Sequence, residues 1–179
     1  CRFCHFATVV GADRARQQRY VDAVIRELDW IEPGTPLSQL FVGGGTPTAL
    51  APDLLDRLLG AVFGRTRPHG TNVHTVEASP ESVAPAHLAV LASHGVGRVS
   101  MGVQSLDDDV LAGVARGHGR AQALAAIDRL VGAGFIVNVD LMYGLPGQSE
   151  AGFRDAVAEV AARGVHSMTL YAVRVTPTS

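Results

Sequence analysis

Apolar and charged side chains alternate with a helical period over residues 14–31. The apolar positions recur at steps of three and four residues, and arginine, aspartate and glutamate occupy positions between them. This spacing places the apolar side chains on one face of an α-helix. Proline cannot donate the backbone hydrogen bond that a helix interior needs. The pattern therefore predicts an amphipathic helix that ends before Pro33.

Short apolar runs alternate with further helical patterns along the rest of the chain. The apolar runs predict strands over residues 38–45, 72–79, 97–105, 135–144 and 167–175. The helical patterns between them lie at residues 51–63, 84–94, 120–132 and 150–163. Strands joined by helices run parallel with right-handed crossovers, and their apolar runs indicate burial on both faces. We predict a wound α/β domain, closed either as an open doubly wound sheet or as a barrel.

The composition indicates one globular domain and excludes several classes of protein. With 179 residues, of which 47% are hydrophobic and 18% charged, the chain is long and apolar enough for a real core. The net charge is −2 and there is no lysine, so no basic patch for nucleic acid is apparent. The most apolar stretch, FIVNVDLMYGLP, is too short to span a membrane, and no signal peptide is apparent. We expect a cytoplasmic protein with reduced cysteines.

Polar or glycine residues follow four of the five predicted strands at the point where each strand ends. They are Gly43, Gly44, Gly45 and Thr46, then Glu77, then Gln104 and Ser105, and finally Asp140. Both an open sheet and a barrel bind their ligands at the carboxyl ends of parallel strands. Loops also make most strand ends polar, so each of these residues has a purely structural interpretation as well.

The glycines and Glu77 have one structural and one functional interpretation each. FVGGGTPT has neither the spacing of a dinucleotide fingerprint nor the lysine of a phosphate-binding loop. Its glycines let a backbone approach a ligand closely, or they form a tight turn between strand and helix. Glu77 could accept hydrogen bonds from an ammonium group or from ribose hydroxyls. Alternatively it is an acidic residue near a helix N-terminus.

Two other charged residues are candidates for the same edge. Arg116, in ARGHGR, could hold a carboxylate with two hydrogen bonds, or it is a surface arginine. Asp140, in IVNVDLMYG, would be buried without a partner unless a ligand or a structural donor meets it. The histidines show no metal-ligand spacing, and we interpret them as structural or solvated. Among them, His118 is close in sequence to a candidate site residue.

Both cysteines, Cys1 and Cys4, lie in the segment CRFCHF. Their spacing suits half of a zinc site, a redox dithiol or part of an iron–sulfur ligand set. Zinc needs two further ligands, and no C-x-x-C or H-x-x-x-H motif follows. A thioredoxin-like dithiol needs a strand before the motif and a helix that starts at it, whereas HFATVVGAD follows here. An incomplete iron–sulfur ligand set stays open.

Six segments, taken in order, resemble the radical S-adenosylmethionine (SAM) superfamily. They are CRFCHF, FVGGGTPT, VEASPESV, RVSMGVQS, ARGHGR and VNVDLMYGLPGQ. The similarity is to the branch that contains oxygen-independent coproporphyrinogen III oxidase, the haem chaperones and the class C radical methyltransferases. It implies that residues 1–179 form the partial parallel (β/α) barrel of the radical SAM core. The first cluster cysteine and a C-terminal domain are expected to lie outside this range.

The resemblance also implies the cofactors and their ligands. The family holds a 4Fe-4S cluster through C-x-x-x-C-x-x-C, and Cys1 and Cys4 match the second and third of these cysteines. One open iron binds SAM, and reduction then cleaves the sulfonium to a 5'-deoxyadenosyl radical. Residues implied to lie along the cofactor are Phe3 at the adenine, Gly44, Gly45 and Thr46 at the methionine moiety, Glu77 at its polar groups, Arg116 at the carboxylate, and Gln104 and Asp140 at the carboxylate or ribose.

The implied function is that of a radical SAM oxidoreductase similar to coproporphyrinogen III oxidase. It would abstract hydrogen from a porphyrinogen-type small molecule with the help of an external electron donor. Two alternatives stay open, namely a haem chaperone without oxidase activity and a class C radical methyltransferase. The oxidase has a further cysteine just after its cluster motif, whereas this chain has His5 and Phe6 there, which is closer to the other two groups. The resemblance therefore implies the branch but not the substrate, and it leaves the catalytic side chains unknown.

Overall fold

The computed structural model describes residues 9, 11–70 and 72–173. Within these ranges, helices and strands alternate. In chain order they are α1 (Arg14–Glu27), β1 (Thr35–Leu37), β2 (Phe41–Val42), α2 (Pro52–Arg65), β3 (Thr66–Pro68), β4 (His74–Ala78), α3 (Pro85–Ser93), β5 (Val96–Gln104), α4 (Asp108–Gly113), α5 (Arg120–Gly132), β6 (Ile136–Tyr143), α6 (Glu150–Ala161) and β7 (Ser167–Ala172).

Five of the strands form one parallel sheet in the order β2-β4-β5-β6-β7. The order follows the sequence without a reversal, so crossovers of a single hand place the connecting helices on the same face. A doubly wound sheet instead reverses its strand order at a switch point. The sheet is therefore wound like the wall of a barrel, which removes the doubly wound alternative.

Capping residues and proline explain where two of the helices begin. Asp13 caps α1, because its side chain accepts a hydrogen bond from the backbone N–H of Arg16 at 2.7 Å. This helix is shorter than expected, since a 3₁₀ turn replaces the α-helix at residues 28–30. Pro52 lies in the first turn of α2, where its missing N–H costs nothing. No helix in the described ranges is long and apolar enough to cross a membrane.

The core lies between the sheet and the helices that cover one of its faces. Fully buried side chains from both layers meet there, among them Leu59, Leu91, Val99, Met101, Ile127, Leu130, Val139 and Leu141. Burying one such side chain contributes about 1.5–3 kcal/mol. The apolar runs of the sequence therefore supply the main driving force for folding.

The opposite face of the sheet is polar, which corrects the expectation of strands buried on both faces. In β5, Val99, Met101 and Val103 are buried, whereas Ser100 and Gln104 are half-buried. Successive side chains of a strand point to opposite faces. The alternation therefore separates an apolar face, which packs on helices, from a polar face that carries hydroxyls, amides and carboxylates.

Several short elements were not predicted. β1 and β3 pair in a separate two-stranded parallel sheet, and α4 follows β5. The first predicted strand, over residues 38–45, contains only the two-residue strand β2. Its glycines end the strand early because they favour other backbone conformations. The sequence pattern thus locates the five strands of the main sheet but not their limits.

Candidate functional site

Two carboxylates lie on the polar face of the sheet, close to the carboxyl ends of their strands. Glu77 of β4 pairs with Ser100 of β5, and Asp140 of β6 pairs with Gly102 of the same strand. Burial raises the pKa of Glu77, and the negative charge of Asp140 raises it further. Burial also raises the pKa of Asp140. Two half-buried acids that repel each other favour a ligand that brings a positive charge or hydrogen-bond donors.

Side chains of the same strand and of the neighbouring strand β5 hold the carboxylate of Asp140 in place. Asn138 Nδ2 donates to Asp140 Oδ1 at 2.8 Å, and Ser100 Oγ donates to Oδ2 at 3.3 Å. Asn138 is itself fixed, since Ser167 Oγ donates to its Oδ1 at 2.7 Å. Asp140 is therefore not an unpaired buried charge. It has structural partners on one side and stands at the edge where a ligand would bind.

The glycine segment passes directly over Glu77. The backbone N–H of Gly44 donates to Glu77 Oε2 at 3.1 Å. A Cβ on Gly43 would lie 2.8 Å from both Cδ and Oε2 of that carboxylate, so the Glu77 side chain would have to shift to make room for it. Gly44 has a φ of +113°, a conformation that favours glycine. Both positions therefore favour glycine. Gly43, Gly44 and Gly45 are also all exposed, so their backbone is accessible to a ligand.

Gln104 and Arg116 meet above Gly102. A Cβ on Gly102 would lie 2.8 Å from Gln104 Nε2 and 3.7 Å from Arg116 Nη2. Arg116 Nη2 also donates a hydrogen bond to the carbonyl oxygen of Gly102. Since Gly102 pairs with Asp140, the amide, the guanidinium and the second carboxylate gather at one place on the polar face. Because Gly102 has no side chain, the amide of Gln104 and the guanidinium of Arg116 can occupy the space beside its Cα.

The backbone at Gln104 is strained. Its φ is +71°, which is uncommon for a residue other than glycine, and the pairing with β6 shifts between Gly102 and Gln104. Such a bulge redirects a side chain, and a left-handed residue of this kind costs of order 1–3 kcal/mol. Strain of this kind concentrates at functional sites. At this bulge the side chain of Gln104 lies beside Gly102, close to the guanidinium of Arg116.

The structure thus brings Gly43, Gly44, Glu77, Gln104, Arg116 and Asp140 to one edge of the sheet. Gly45 and Thr46 continue the glycine segment, and Thr46 precedes a 3₁₀ turn at Pro47–Ala49. Cys1, Phe3 and Cys4 lie outside the described residues. The cofactor-binding roles of all these residues stay predictions.

Sequence reasoning missed several residues of this edge. Ser100 and Asn138 hold Asp140, and the pKa of Tyr171 is raised by burial and by the charges of Asp140 and Glu77. Their common signal is the two-residue period of β5, β6 and β7, which places them on the same face as the carboxylates. His118, described further below, was interpreted as structural or solvated, and its partner Glu81 was not singled out.

Comparison with known proteins identifies the family. The sequence model of the Radical SAM superfamily matches residues 1–160. The chain belongs to the radical SAM superfamily. Members of this superfamily use a 4Fe-4S cluster and SAM.

The similar proteins include haem chaperones and a coproporphyrinogen III oxidase. The haem chaperone HemW of Lactococcus lactis is 34% identical over 150 residues, which cover 83% of this chain and 39% of that protein. The oxygen-independent coproporphyrinogen III oxidase of Paracoccus denitrificans is 29% identical over 176 residues, which cover 96% of this chain and 39% of that protein. The chain thus spans about two fifths of the length of each of these relatives.

A solved structure confirms the fold. Coproporphyrinogen III oxidase (HemN) from Escherichia coli superposes with a TM-score of 0.90 at 28% identity, over 99% of this chain and 42% of that one. The predicted α/β fold with a parallel sheet, that of the radical SAM core, is therefore correct.

The chemistry of the described edge fits SAM. SAM carries an ammonium, a carboxylate and ribose hydroxyls, and the edge offers two carboxylates, a guanidinium and an amide within one group. Exposed glycine backbone lies beside them. The cysteines that would hold the cluster lie outside the described residues, so the cluster site stays a prediction.

Proposed function

We propose that the polar edge of the sheet binds SAM and that this chain is the radical SAM core of a protein of the haem-chaperone type. The observation that carries the first part is that a guanidinium and two carboxylates lie at the same edge of the sheet. Arg116 donates a hydrogen bond to the carbonyl oxygen of Gly102, Asp140 is the register partner of Gly102 on β6, and Glu77 lies on the strand at the other side of β5. An amino-acid ligand with both an ammonium and a carboxylate needs such an arrangement.

The proposal assigns each polar side chain of the edge to a polar group of SAM. Glu77, held by the Gly44 N–H, accepts hydrogen bonds from the ammonium of SAM. Arg116 donates two hydrogen bonds to its carboxylate, which is the geometry that a guanidinium favours. Asp140 and Gln104 bind the ribose hydroxyls or the carboxylate.

The remaining predicted ligands follow the same assignment. Gly45 and Thr46 extend the contact along the methionine moiety, and Phe3 packs near the adenine. Cys1 and Cys4 supply two of the three cluster thiolates. When bound, the cluster supplies the electron with which SAM is cleaved, while the protein positions and shields both groups.

The haem-chaperone type is favoured over the oxidase by one sequence feature and by the relatives. His5 and Phe6 stand where the oxidase has a further cysteine. HemW proteins of several bacteria are among the relatives, with 34% identity for the one from Lactococcus lactis. The small molecule bound by the intact protein is then haem.

Oxidase activity is the second candidate. The Paracoccus oxidase and the Escherichia coli HemN structure both match nearly the whole chain. A porphyrinogen would then be the substrate, and an external electron donor would be needed. The class C methyltransferase is a weaker third candidate, since it rests on the motifs alone.

Calorimetric titration of SAM into the intact, anaerobically reconstituted protein tests the proposed site. Arg116→Lys keeps the positive charge but cannot form the bidentate hydrogen bonds to a carboxylate, so SAM should bind about tenfold more weakly. Arg154→Lys is the matched control, because Arg154 forms an exposed pair with Glu150 on α6. If the two variants bind SAM with equal affinity, the proposed SAM site is wrong.

Anaerobic incubation with coproporphyrinogen III, followed by product mass analysis, tests the type of function. We expect no loss of carbon dioxide from the porphyrinogen, whereas haem titrated into the same preparation should bind stoichiometrically. Formation of a decarboxylated product would make the oxidase the correct assignment. If no decarboxylated product forms and no haem binds, both candidate functions are wrong.

A further inference from the structure

His118 is a buried histidine whose two ring nitrogens both contact oxygen acceptors. Its side chain has no solvent exposure. Nδ1 lies 3.1 Å from Glu81 Oε2, and Nε2 lies 3.1 Å from the carbonyl oxygen of Val103. The ring therefore joins the side chain of Glu81 to the backbone of Val103 with two contacts of hydrogen-bond length.

The carboxylate of Glu81 is ionised in this pair. Burial acts to raise its pKa, but the hydrogen bond from His118 and the charges of Arg116 and His118 together lower it to about 2. Only a third of the Glu81 side chain is exposed. The pair is thus a charged contact that is largely withdrawn from water.

Three segments of the chain meet at this pair. Glu81 belongs to the 3₁₀ turn after β4, Val103 belongs to β5, and His118 belongs to the loop between α4 and α5. Arg116 lies in the same loop, two residues before His118. On its other side, Ala115 has a φ of +55°, so the backbone that presents Arg116 is strained.

We propose that the Glu81–His118 pair is a positioning device that holds the loop of Arg116 against the carboxyl end of β5, so that the guanidinium stays above Gly102 to bind the SAM carboxylate. The inference rests on the proposed function, since it assigns that carboxylate to Arg116. Its physical basis is that a strained loop keeps one conformation only where its surroundings fix it. The pair fixes it to two other segments at once.

A purely structural role for the pair has a different consequence. Loss of either partner would then lower the stability of the protein, and the folded molecules would still bind SAM as before. A positioning role instead predicts a specific loss of carboxylate recognition. The two roles can be separated with decarboxylated SAM, which lacks only the group that Arg116 is proposed to bind.

The test compares the dissociation constants of SAM and decarboxylated SAM in the intact, reconstituted protein. Glu81→Gln and His118→Gln should each lower the preference for SAM about tenfold, because a charged contact is lost. The affinity for decarboxylated SAM should stay within about twofold of the wild type. An unchanged preference in both variants would overturn the inference.

The chain offers a matched control pair. His94 Nε2 lies 2.8 Å from Asp56 Oδ1, so this is also a histidine–carboxylate contact, but it joins α2 to the end of α3 away from Arg116. His94→Gln should leave the preference for SAM unchanged. An equal fall in His94→Gln and His118→Gln would overturn the inference, because it would show a general effect of lost stability.

Two further variants separate this inference from the proposed function. Arg116→Ala should lose the preference for SAM, and adding Glu81→Gln to it should have no further effect. If Arg116→Ala loses the preference while Glu81→Gln keeps it, the inference fails and the proposed function stands. If Arg116→Ala keeps the preference, the assignment of the carboxylate to Arg116 fails, and the inference fails with it.

A conservative variant covers the case in which Glu81→Gln does not fold. Glu81→Asp keeps the charge but shortens the side chain by one methylene, which draws the loop away from its position. We expect a fall in the preference for SAM that is smaller than for His118→Gln. An unchanged preference in a folded Glu81→Asp protein would contradict the positioning role.

Discussion

The helix-covered face of the five-stranded sheet and its polar face come from the same strands but contribute differently to the molecule. The covered face carries fully buried side chains such as Val99, Met101 and Val139. The polar face carries Glu77 and Asp140, two acids whose pKa values burial raises. The first arrangement stabilises the fold. The second opposes it, because burial and mutual repulsion make the charged forms of these carboxylates costly.

This difference shows where stability and binding are separated in the chain. Positions two residues apart in one strand share a face, so a single-residue step moves from the core to the candidate site. Variants on the two faces should therefore have distinct effects. Those on the covered face should change the free energy of unfolding, and those on the polar face should change ligand affinity.

The largest effect is expected on the covered face. Leu130 of α5 is fully buried in the core. Leu130→Ala removes its contacts and leaves a cavity, which should lower the free energy of unfolding by about 2–5 kcal/mol. Urea denaturation of the intact protein measures this loss. A fall below 1 kcal/mol, roughly the cost of a surface substitution, would contradict the account of this face.

A smaller effect is expected at the glycine segment of the polar edge. Gly43→Ala places a methyl group against the carboxylate of Glu77 and forces that side chain to move. SAM should then bind about tenfold more weakly, since one charged contact is lost. Titration calorimetry measures the change.

Gly64→Ala is the matched control for the glycine prediction. Gly64 lies within α2, and a Cβ there would meet no atom within 4 Å. Alanine is a better helix former than glycine, so this variant should stabilise the protein by about 1 kcal/mol and leave SAM affinity unchanged. Weaker SAM binding in Gly64→Ala, or unchanged binding in Gly43→Ala, would contradict the comparison.

The smallest effects are expected in the pH dependence of stability, with opposite signs for two glutamates. The pKa of Glu81 is lowered to about 2, so its stabilisation is complete above its ordinary pKa of 4.5 and is lost as the pH falls toward 2. The pKa of Glu77 is raised, mainly by burial, so its destabilising effect appears as the pH rises above 4.5.

Differential scanning calorimetry of Glu81→Gln and Glu77→Gln against the wild type checks both signs. With rising pH, the wild type should gain stability relative to Glu81→Gln below pH 4.5. It should lose stability relative to Glu77→Gln above that pH. The same sign for both variants would show that the two carboxyl groups do not have opposite environments.

The fold was predictable from the sequence to the level of the main sheet. The periods of the apolar residues located its five strands and, between them, α2, α3, α5 and α6. They did not reveal β1 and β3, because strands of three residues are too short for a period to be recognised. They also suggested burial on both faces, since Ser100 and Gly102 were counted as part of an apolar run.

The candidate site was predictable only in part. The motifs led to Glu77, Gln104, Arg116 and Asp140, which the structure brings together. Asn138 lies two residues before Asp140 on the same strand, so the two-residue period of β6 could have located it. Ser100 was missed because its contact with Asp140 crosses between strands, and a single sequence does not give the register. His118 and Glu81 were missed for the same reason, since 37 residues separate them along the chain.

The central claim is that the polar face binds SAM and does not merely support the fold, and the SAM dissociation constant of Asp140→Asn tests it most directly. The measurement is made on the intact, reconstituted protein, and the melting temperature is recorded on the same sample. We predict that SAM binds at least about tenfold more weakly, because one charge-assisted contact is worth about 1.5–3 kcal/mol, while the melting temperature stays close to that of the wild type. Unchanged SAM affinity together with a large fall in melting temperature would contradict the account, since Asp140 would then be a structural residue.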